Sequence, residues 1–223
     1  MNFKKLGKFI GIFFIYVLAP SLIVIVLNNV GIKYQELSNT MKLVVNIGGD
    51  ILVSIILFII YHKYLIEKFK DFKQNFGKYS EIGLKAWGIG LAIMYVSNII
   101  LYTFSPVKEA INESAVQDLI SASPILAFIF TTVFAPFIEE MIFRKGIQDI
   151  FNNKKIFIII SGIVFGLLHV IGAESIFDFL YIIPYAALGM SFAHALYKTD
   201  NIYTTIMIHL IHNGILTLIS ILF

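Results

Sequence analysis

Long apolar runs alternate with short polar connections along almost the whole chain. A helix needs about 20 predominantly apolar residues to cross the hydrocarbon core of a bilayer. Seven runs meet this requirement, and the pattern therefore predicts an all-α integral membrane protein with about seven transmembrane helices. The predicted spans are Phe9–Leu27, Leu43–Tyr61, Leu84–Phe104, Pro124–Phe143, Ile156–Ile171, Phe177–Leu196 and Ile202–Leu222.

The chain shows no internal repeat, low-complexity tract or polar second domain. We therefore expect a single membrane domain over residues 1–223, with three N-terminal spans and their loops in 9–123 and a four-span catalytic core in 124–222. The polar connection Ser105–Ser123 is predicted to lie at the outer surface as a short interfacial helix. The first run is longer than the apolar core of a signal peptide and lacks a cleavage site, so we interpret it as a retained span.

Composition supports the membrane assignment and limits the possible partners. The chain is 58% hydrophobic and 14% charged, whereas soluble domains are about 45–50% apolar and about 25% charged. The lipid bilayer is thus an expected partner, and a net charge of +3 gives no indication of nucleic-acid binding. Cysteine is absent, which excludes disulfides, thiolate metal sites and a cysteine nucleophile.

Basic residues cluster in every second connection, and cytoplasmic loops carry an excess of Lys and Arg. This rule places the N-terminus in the cytoplasm and the C-terminus outside, in a multi-pass protein of the cell membrane. We expect a bacterial plasma membrane, and frequent Lys, Ile and Asn indicate an AT-rich genome. The basic residues of the predicted cytoplasmic side are Lys4, Lys5, Lys8, Lys63, Lys68, Lys70, Lys73, Lys78, Arg144, Lys145, Lys154, Lys155 and Lys198.

The fourth span carries three charges, Glu139, Glu140 and Arg144, inside an otherwise apolar sequence. An ionisable residue in the hydrocarbon costs at least about 2.5–3.5 kcal/mol, so it is a candidate functional residue. Glu140 and Arg144 are four residues apart and can pair on one helix face. Glu139 is rotated by about 100° and lacks a partner on its own helix, as expected of a buried general base.

Two further polar groups lie on later spans. Phe165 and His169 share a face of the fifth span, and His209 and Asn213 share a face of the seventh. At a rise of about 1.5 Å per residue, Glu139 and His209 each lie on the order of 10 Å from the cytoplasmic ends of their spans, whereas His169 lies nearer 20 Å. Either the fifth span begins later, as a helix that projects into the cytoplasm, or it is tilted.

The motifs Glu-Glu-x-x-x-Arg, Phe-x-x-x-His and His-x-x-x-Asn, in this order on successive spans, resemble the CPBP family of CAAX proteases and bacteriocin-processing enzymes, also named Abi. The resemblance covers about Pro124 to Leu222 and includes the segment Tyr197–Ile202. One difference is Lys145, which separates the motif arginine from Gly146, whereas family members often have glycine directly after the arginine.

The resemblance implies a membrane-embedded endopeptidase that cleaves a peptide or protein tail near the cytoplasmic face, in peptide maturation or bacteriocin self-immunity. By the family pattern, Glu139 with His169 activates a water molecule, and His209 with Asn213 stabilises the oxyanion. Glu140 with Arg144 holds the site together, and Phe165 belongs to the same supporting set. A carboxylate in a low-dielectric environment is an effective general base.

Several alternatives stay open at this point. No cofactor is favoured, but Glu139, His169 and His209 form a donor set that suits a catalytic zinc ion. The chain could instead be a non-catalytic membrane scaffold or regulator, or a proton- or ion-coupled transporter that uses Glu139 and Asp50. Asp50 lies in the second span without an explanation, His194 and His212 are interpreted as structural, and the sequence does not define the oligomeric state.

Overall fold

The computed structural model describes residues 3–223, and the regular elements of this part of the chain are eight helices and one short 3₁₀ turn, with no strand. The all-α prediction is therefore confirmed. The helices are α1 Phe3–Asn29, α2 Asn39–Gln74, α3 Phe76–Phe104, α4 Ile111–Ala122, α5 Pro124–Ile150, α6 Lys154–His169, α7 Ile176–Thr199 and α8 Ile202–Leu222.

The expected number of seven long spans requires a correction. Within residues 3–223, six helices are long and apolar enough to cross a membrane, namely α1, α2, α3, α5, α7 and α8. The predicted fifth span, Ile156–Ile171, is the 16-residue helix α6, which is only about 24 Å long. It ends at His169 because the chain then turns through Gly172, whose φ of 95° is left-handed.

The basic connections predicted to be cytoplasmic meet at one end of the bundle. The Lys5 Nζ lies 3.8 Å from the Asp149 carboxylate, which joins the start of α1 to the end of α5. The Lys68 Nζ lies 2.8 Å from the Asp200 carboxylate, and the Gln148 amide also donates to Asp200. We refer to this end as the lysine-rich end.

The connections predicted to be outside meet at the opposite end. The Thr40 hydroxyl donates to the Ala122 carbonyl at 2.8 Å, which joins the start of α2 to the end of α4. The Tyr181 hydroxyl donates to the Val107 carbonyl at 3.3 Å and joins the first part of α7 to the α3–α4 connection. The structure therefore confirms how the loops are sorted between two ends, and the assignment of the lysine-rich end to the cytoplasm stays a prediction.

A polar corner fixes α8 against α2. Asp200 adopts a left-handed φ of 47° between α7 and α8, and the Asn201 side chain caps α8 by accepting from the Tyr203 N–H. The Asn201 amide also donates to the Lys68 carbonyl and to the Asp71 carboxylate, both at 2.8 Å. This corner sets the position at which α8, with its motif residues, enters the bundle.

Small residues bring α3, α6 and α7 into close contact. The Cα of Gly162 on α6 faces Met190 and Ala186 of α7, and Gly90 of α3 faces Ser191 on the other side of α7. A Cβ at Gly90 would overlap the Ser191 side chain, whereas a Cβ at Gly88 would meet no atom within 4 Å. Helices can approach this closely because glycine removes the side chain at the crossing point.

This contact predicts a position-specific effect on stability. Gly90→Val is expected to lower the thermal midpoint of the purified protein, because overpacking a tight contact costs about 1–3 kcal/mol. Gly88→Val is the matched control, because it makes the same change on the same helix in open space. Equal midpoints for the two variants would contradict the packing of α3 on α7.

The orientation can be tested directly, since the chain contains no cysteine. Cysteines introduced as Lys73→Cys and Asn152→Cys are expected to react with an impermeant reagent only from the cytoplasmic side. Glu113→Cys is expected to react only from outside. Labelling of Lys73→Cys from outside would reverse the predicted orientation.

Candidate active site

The site begins with an irregular stretch of α5. This helix widens into π-helical turns at Phe130–Phe134 and Glu140–Gly146, on either side of the α-helical turn Ala135–Glu139. Turns of this type are rare and are found frequently at functional sites. Pro136 lies in the intervening turn and cannot donate a backbone hydrogen bond. The widened turns change which side chains of α5 face α8.

Both glutamates reach the same histidine. The His209 Nδ1 lies 2.8 Å from Glu140 Oε1, and His209 Nε2 lies 3.7 Å from Glu139 Oε2. The Glu140 and His209 side chains are 0% and 3% exposed, while Glu139 is 13% exposed. The sequence correctly predicts that Glu139 has no partner on its own helix, but it does not reveal that His209 approaches it from α8.

Glu140 forms the predicted ion pair with Arg144, whose Nε lies 3.3 Å from Glu140 Oε2. The guanidinium group is completely buried and lies over the rings of Phe165, at 4.3 Å, and Phe192, at 5.8 Å. Aromatic faces attract a cation, so the rings supply part of the stabilisation that water would otherwise give. Phe165 therefore supports the site by covering Arg144.

His169 lines the same cavities as Glu139. Among the described residues, its hydrogen-bond partner is Phe165 and not Glu139. The His169 Nδ1 lies 2.9 Å from the Phe165 carbonyl, an arrangement in which Nδ1 carries the proton and Nε2 is left free. The imidazole stacks on Tyr185 with ring centroids 4.4 Å apart. The sequence motifs do not indicate Tyr185 as a site residue. It has no polar neighbours in the sequence and resembles any other aromatic residue of a membrane span.

The structure changes one of the depths counted along the spans. The fourth span does not end at Phe143, because α5 continues to Ile150. Glu139 therefore lies about 16 Å from the lysine-rich end of its helix, rather than about 10 Å. A late start of the fifth span is wrong, since α6 begins at Lys154. His169 lies about 22 Å and His209 about 10 Å along their helices, so these depths stay unequal.

Asn213, His212 and His194 have different surroundings. The Asn213 amide donates to the Thr131 carbonyl in the first π-helical turn, at 2.9 Å, and one N–H of that amide is left over. His212 accepts a hydrogen bond from the Trp87 indole at 3.2 Å. His194 is exposed to the surroundings of the bundle.

Two cavities border Glu139, with volumes of about 470 Å³ and about 730 Å³. The larger one, which we name the main cavity, lies between α3, α4, α7 and α8 and has Glu139, His169, His209 and Asn213 at its inner wall. The smaller one, the side cavity, lies between α1, α2, α4 and α5 and also ends at Glu139 and His169.

The main cavity opens away from the lysine-rich end. Its outer wall contains Tyr102, Lys108, Glu109 and Glu113 from the α3–α4 connection and the start of α4, together with Ser220 near the end of α8. Under the predicted orientation this opening is on the outside, which differs from the expectation of cleavage near the cytoplasmic face. Depths counted along single spans could not show this, because they do not tell which loops surround the opening.

The residues of the site do not fit a metal ion as they are arranged. Within residues 3–223, no three His, Asp or Glu side chains lie close enough together to hold one. The His209 Nδ1 is engaged by Glu140, so the zinc alternative with Glu139, His169 and His209 would require these side chains to rearrange.

The two glutamates are expected to differ in their effect on folding. Glu140→Ala leaves Arg144 as an uncompensated buried charge, and breaking a buried pair in this way typically costs about 3–5 kcal/mol. Its abundance in the membrane is expected to fall, while Glu139→Gln is expected to accumulate like the wild type. The measurement is quantitative immunoblotting with size-exclusion analysis, and similar abundance of both variants would contradict the structural role of Glu140.

Comparison with known proteins identifies the family that the motifs suggest. Residues 121–215 match the family described as type II CAAX prenyl endopeptidase Rce1-like. The protein named "Putative membrane peptidase YdiL" from Bacillus subtilis (strain 168) is 32% identical over 135 residues, which cover 59% of this chain and 50% of that protein. The UPF0177 protein YvdC from Lactococcus lactis subsp. lactis (strain IL1403) is 26% identical over 131 residues, 56% of this chain and 48% of that protein.

These matches concern part of each sequence. The chain spans about half the length of these two relatives, and no solved structure matches it. The matched segment 121–215 includes all three motifs, from Glu139 to Asn213. The part of the chain that carries the motifs is therefore similar to the Rce1-like CAAX endopeptidase family, also named CPBP, in agreement with the resemblance inferred from the motifs.

Proposed function

We propose that this chain is a membrane-embedded endopeptidase that hydrolyses a peptide bond with Glu139 as the general base. The observation that carries the proposal is the position of His209 between two buried acids. One acid, Glu140, is neutralised by Arg144, while the other, Glu139, faces both cavities. An acid that is close to a positioned imidazole and open to a cavity suits proton transfer.

In the proposed reaction, Glu139 takes a proton from water as the water oxygen attacks the carbonyl carbon of the peptide. His169 Nε2 orients this water, since its Nδ1 is held by the Phe165 carbonyl. Glu139 then gives the proton to the leaving nitrogen as the C–N bond breaks. The products are a carboxylic acid and an amine, so atoms and charge balance.

The oxyanion is proposed to bind at His209 and Asn213. Glu140 accepts the Nδ1–H of His209, and in the protonated ring the Nε2–H points to the side of Glu139 and the main cavity. The hydrogen bond to Glu140, which is itself paired with Arg144, fixes the orientation of this imidazole. The second N–H of the Asn213 amide is the other donor. Removing one such donor typically costs about 100–1000-fold in rate.

The shape of the main cavity supports a peptide or protein tail as substrate. Its walls between the opening and the acids are largely apolar and include Met94, Ile99, Leu119 and Leu216. An apolar segment suits such a space, because apolar walls replace the contacts that it made with lipid. With the lysine-rich end in the cytoplasm, this substrate would come from the outer side, as in the maturation of an exported peptide or in bacteriocin self-immunity.

The two alternative functions find less support. A scaffold does not need motif residues that meet around one cavity, whereas five of the motif residues line the main cavity here, namely Glu139, Phe165, His169, His209 and Asn213. A transporter needs a polar path through the bundle, but an apolar cluster packs between the acids and the lysine-rich end. That cluster includes Ile138, Met141, Ile142, Phe143, Ile147, Phe157 and Leu196.

The proposal predicts the kinetics of purified variants. With a library of quenched fluorescent peptides in proteoliposomes, the wild type is expected to cleave apolar sequences, and Glu139→Gln to lose at least about 100-fold in kcat. Glu67→Gln is the matched control, because Glu67 is exposed on α2, and it is expected to behave like the wild type. Wild-type kcat in Glu139→Gln would reject the assignment of the base.

The same assay decides whether metal takes part. Protein that has been treated with a chelator is analysed for metal content and for cleavage. We expect full cleavage without bound metal. Stoichiometric zinc, with cleavage lost on removal and recovered on addition, would replace the general-base proposal with a metallopeptidase.

A further inference from the structure

The side cavity is a second route to Glu139 that the proposed reaction does not yet use. It has a volume of about 470 Å³, and its polar lining consists of Tyr16, Asn46, Asp50 and Asn112 in addition to Glu139 and His169. These side chains come from α1, α2 and α4, outside the motifs and largely outside the segment that matches the family.

Asp50 is the most unusual residue of this cavity. It is only 9% exposed and lies in the interior of α2, where a charged side chain is costly. Within residues 3–223 no donor makes a hydrogen bond to its carboxylate, which faces the cavity instead. A buried polar group without a protein partner is stable only if water supplies the missing hydrogen bonds.

The two cavities differ in size and adjoin at shared side chains. The main cavity is walled mostly by apolar and aromatic side chains, whereas the smaller side cavity adds Asn46 and Asp50 of α2. The side chains that line both cavities are Asn112, Phe130, Ala135, Glu139 and His169. A substrate that fills the main cavity would exclude water from that side, so the attacking water needs another route.

We propose that the side cavity conducts water to Glu139, and that Asp50 is a positioning residue that holds the attacking water beside Glu139 while substrate occupies the main cavity. This inference rests on the proposed function. Asn46 and Asn112 line the route towards the outer end, where the α2 N-terminus and α4 meet through the hydrogen bond from Thr40 to Ala122. Water thus reaches the base without passing the substrate.

The first test asks whether the side cavity contains water, and it does not depend on catalysis. In the cysteine-free chain, Asn46→Cys is expected to react with a small charged methanethiosulfonate reagent at least about tenfold faster than Val44→Cys, because a thiol in water forms the reactive thiolate more readily than one in lipid. Val44 is the control because it is 44% exposed on the lipid-facing side of α2 and lies nearer the helix start. Equal or slower reaction of Asn46→Cys would overturn the water route.

The second test separates water positioning from folding and from substrate binding. Asp50→Leu is expected to lower kcat at least about tenfold with KM within about twofold of wild type, because only the chemical step uses this water. Asp50→Asn keeps the hydrogen-bonding capacity and is expected to recover most of the lost kcat. Asn98→Leu, in the wall of the main cavity, is the control that is expected to change KM instead.

The outcomes distinguish failure of this inference from failure of the proposed function. Wild-type kcat in a folded Asp50→Leu protein, beside an inactive Glu139→Gln, would remove Asp50 from the reaction and leave the base in place. If the wild-type protein cleaves no peptide, the proposed function fails. Slow labelling of Asn46→Cys would then reject the water route as well, and fast labelling would support it.

Discussion

The structure depends on the buried charge cluster of Glu140, Arg144 and His209. A charge placed in a low-dielectric interior is costly unless it is paired and well oriented. Glu140 has a partner on each side, because Arg144 lies 3.3 Å from one carboxylate oxygen and His209 lies 2.8 Å from the other. This cluster links α5 to α8 and determines the direction of the imidazole. It also leaves Glu139 as the acid that faces the cavities.

The helices around the cluster position its side chains. The π-helical turns of α5 allow consecutive glutamates to approach one histidine from both of its ring nitrogens. The short helix α6 brings Phe165 under Arg144 and His169 beside Glu139. Glycines at the crossings of α3, α6 and α7 hold these helices close enough for the aromatic rings to enclose the guanidinium. The π-helical turns of α5 and the close helix crossings thus position the same few side chains.

The distribution of charge divides the molecule into two ends with different properties. One end carries most of the lysines and is closed by an apolar cluster around Phe143 and Phe157. Side chains of the opposite end line the outer part of the main cavity, and residues of α4 line both cavities. Under the proposed function, substrate would therefore enter from the end opposite the lysines. In the proposed reaction, water would reach Glu139 through the side cavity while substrate fills the main cavity.

The sequence alone determined the helical membrane class, the pairing of Glu140 with Arg144 and the residues that would meet, because hydropathy and helical spacing are local properties. It also determined which loops share an end, since basic residues mark them. Tertiary structure decided that α6 is short, that α5 continues to Ile150 and that His209 lies between both acids. It also decided which side chains line the two cavities and that Asp50 and Glu139 line the same one. These features depend on how helices distant in the chain pack and on the widened turns of α5, which periodicity along a single span does not encode.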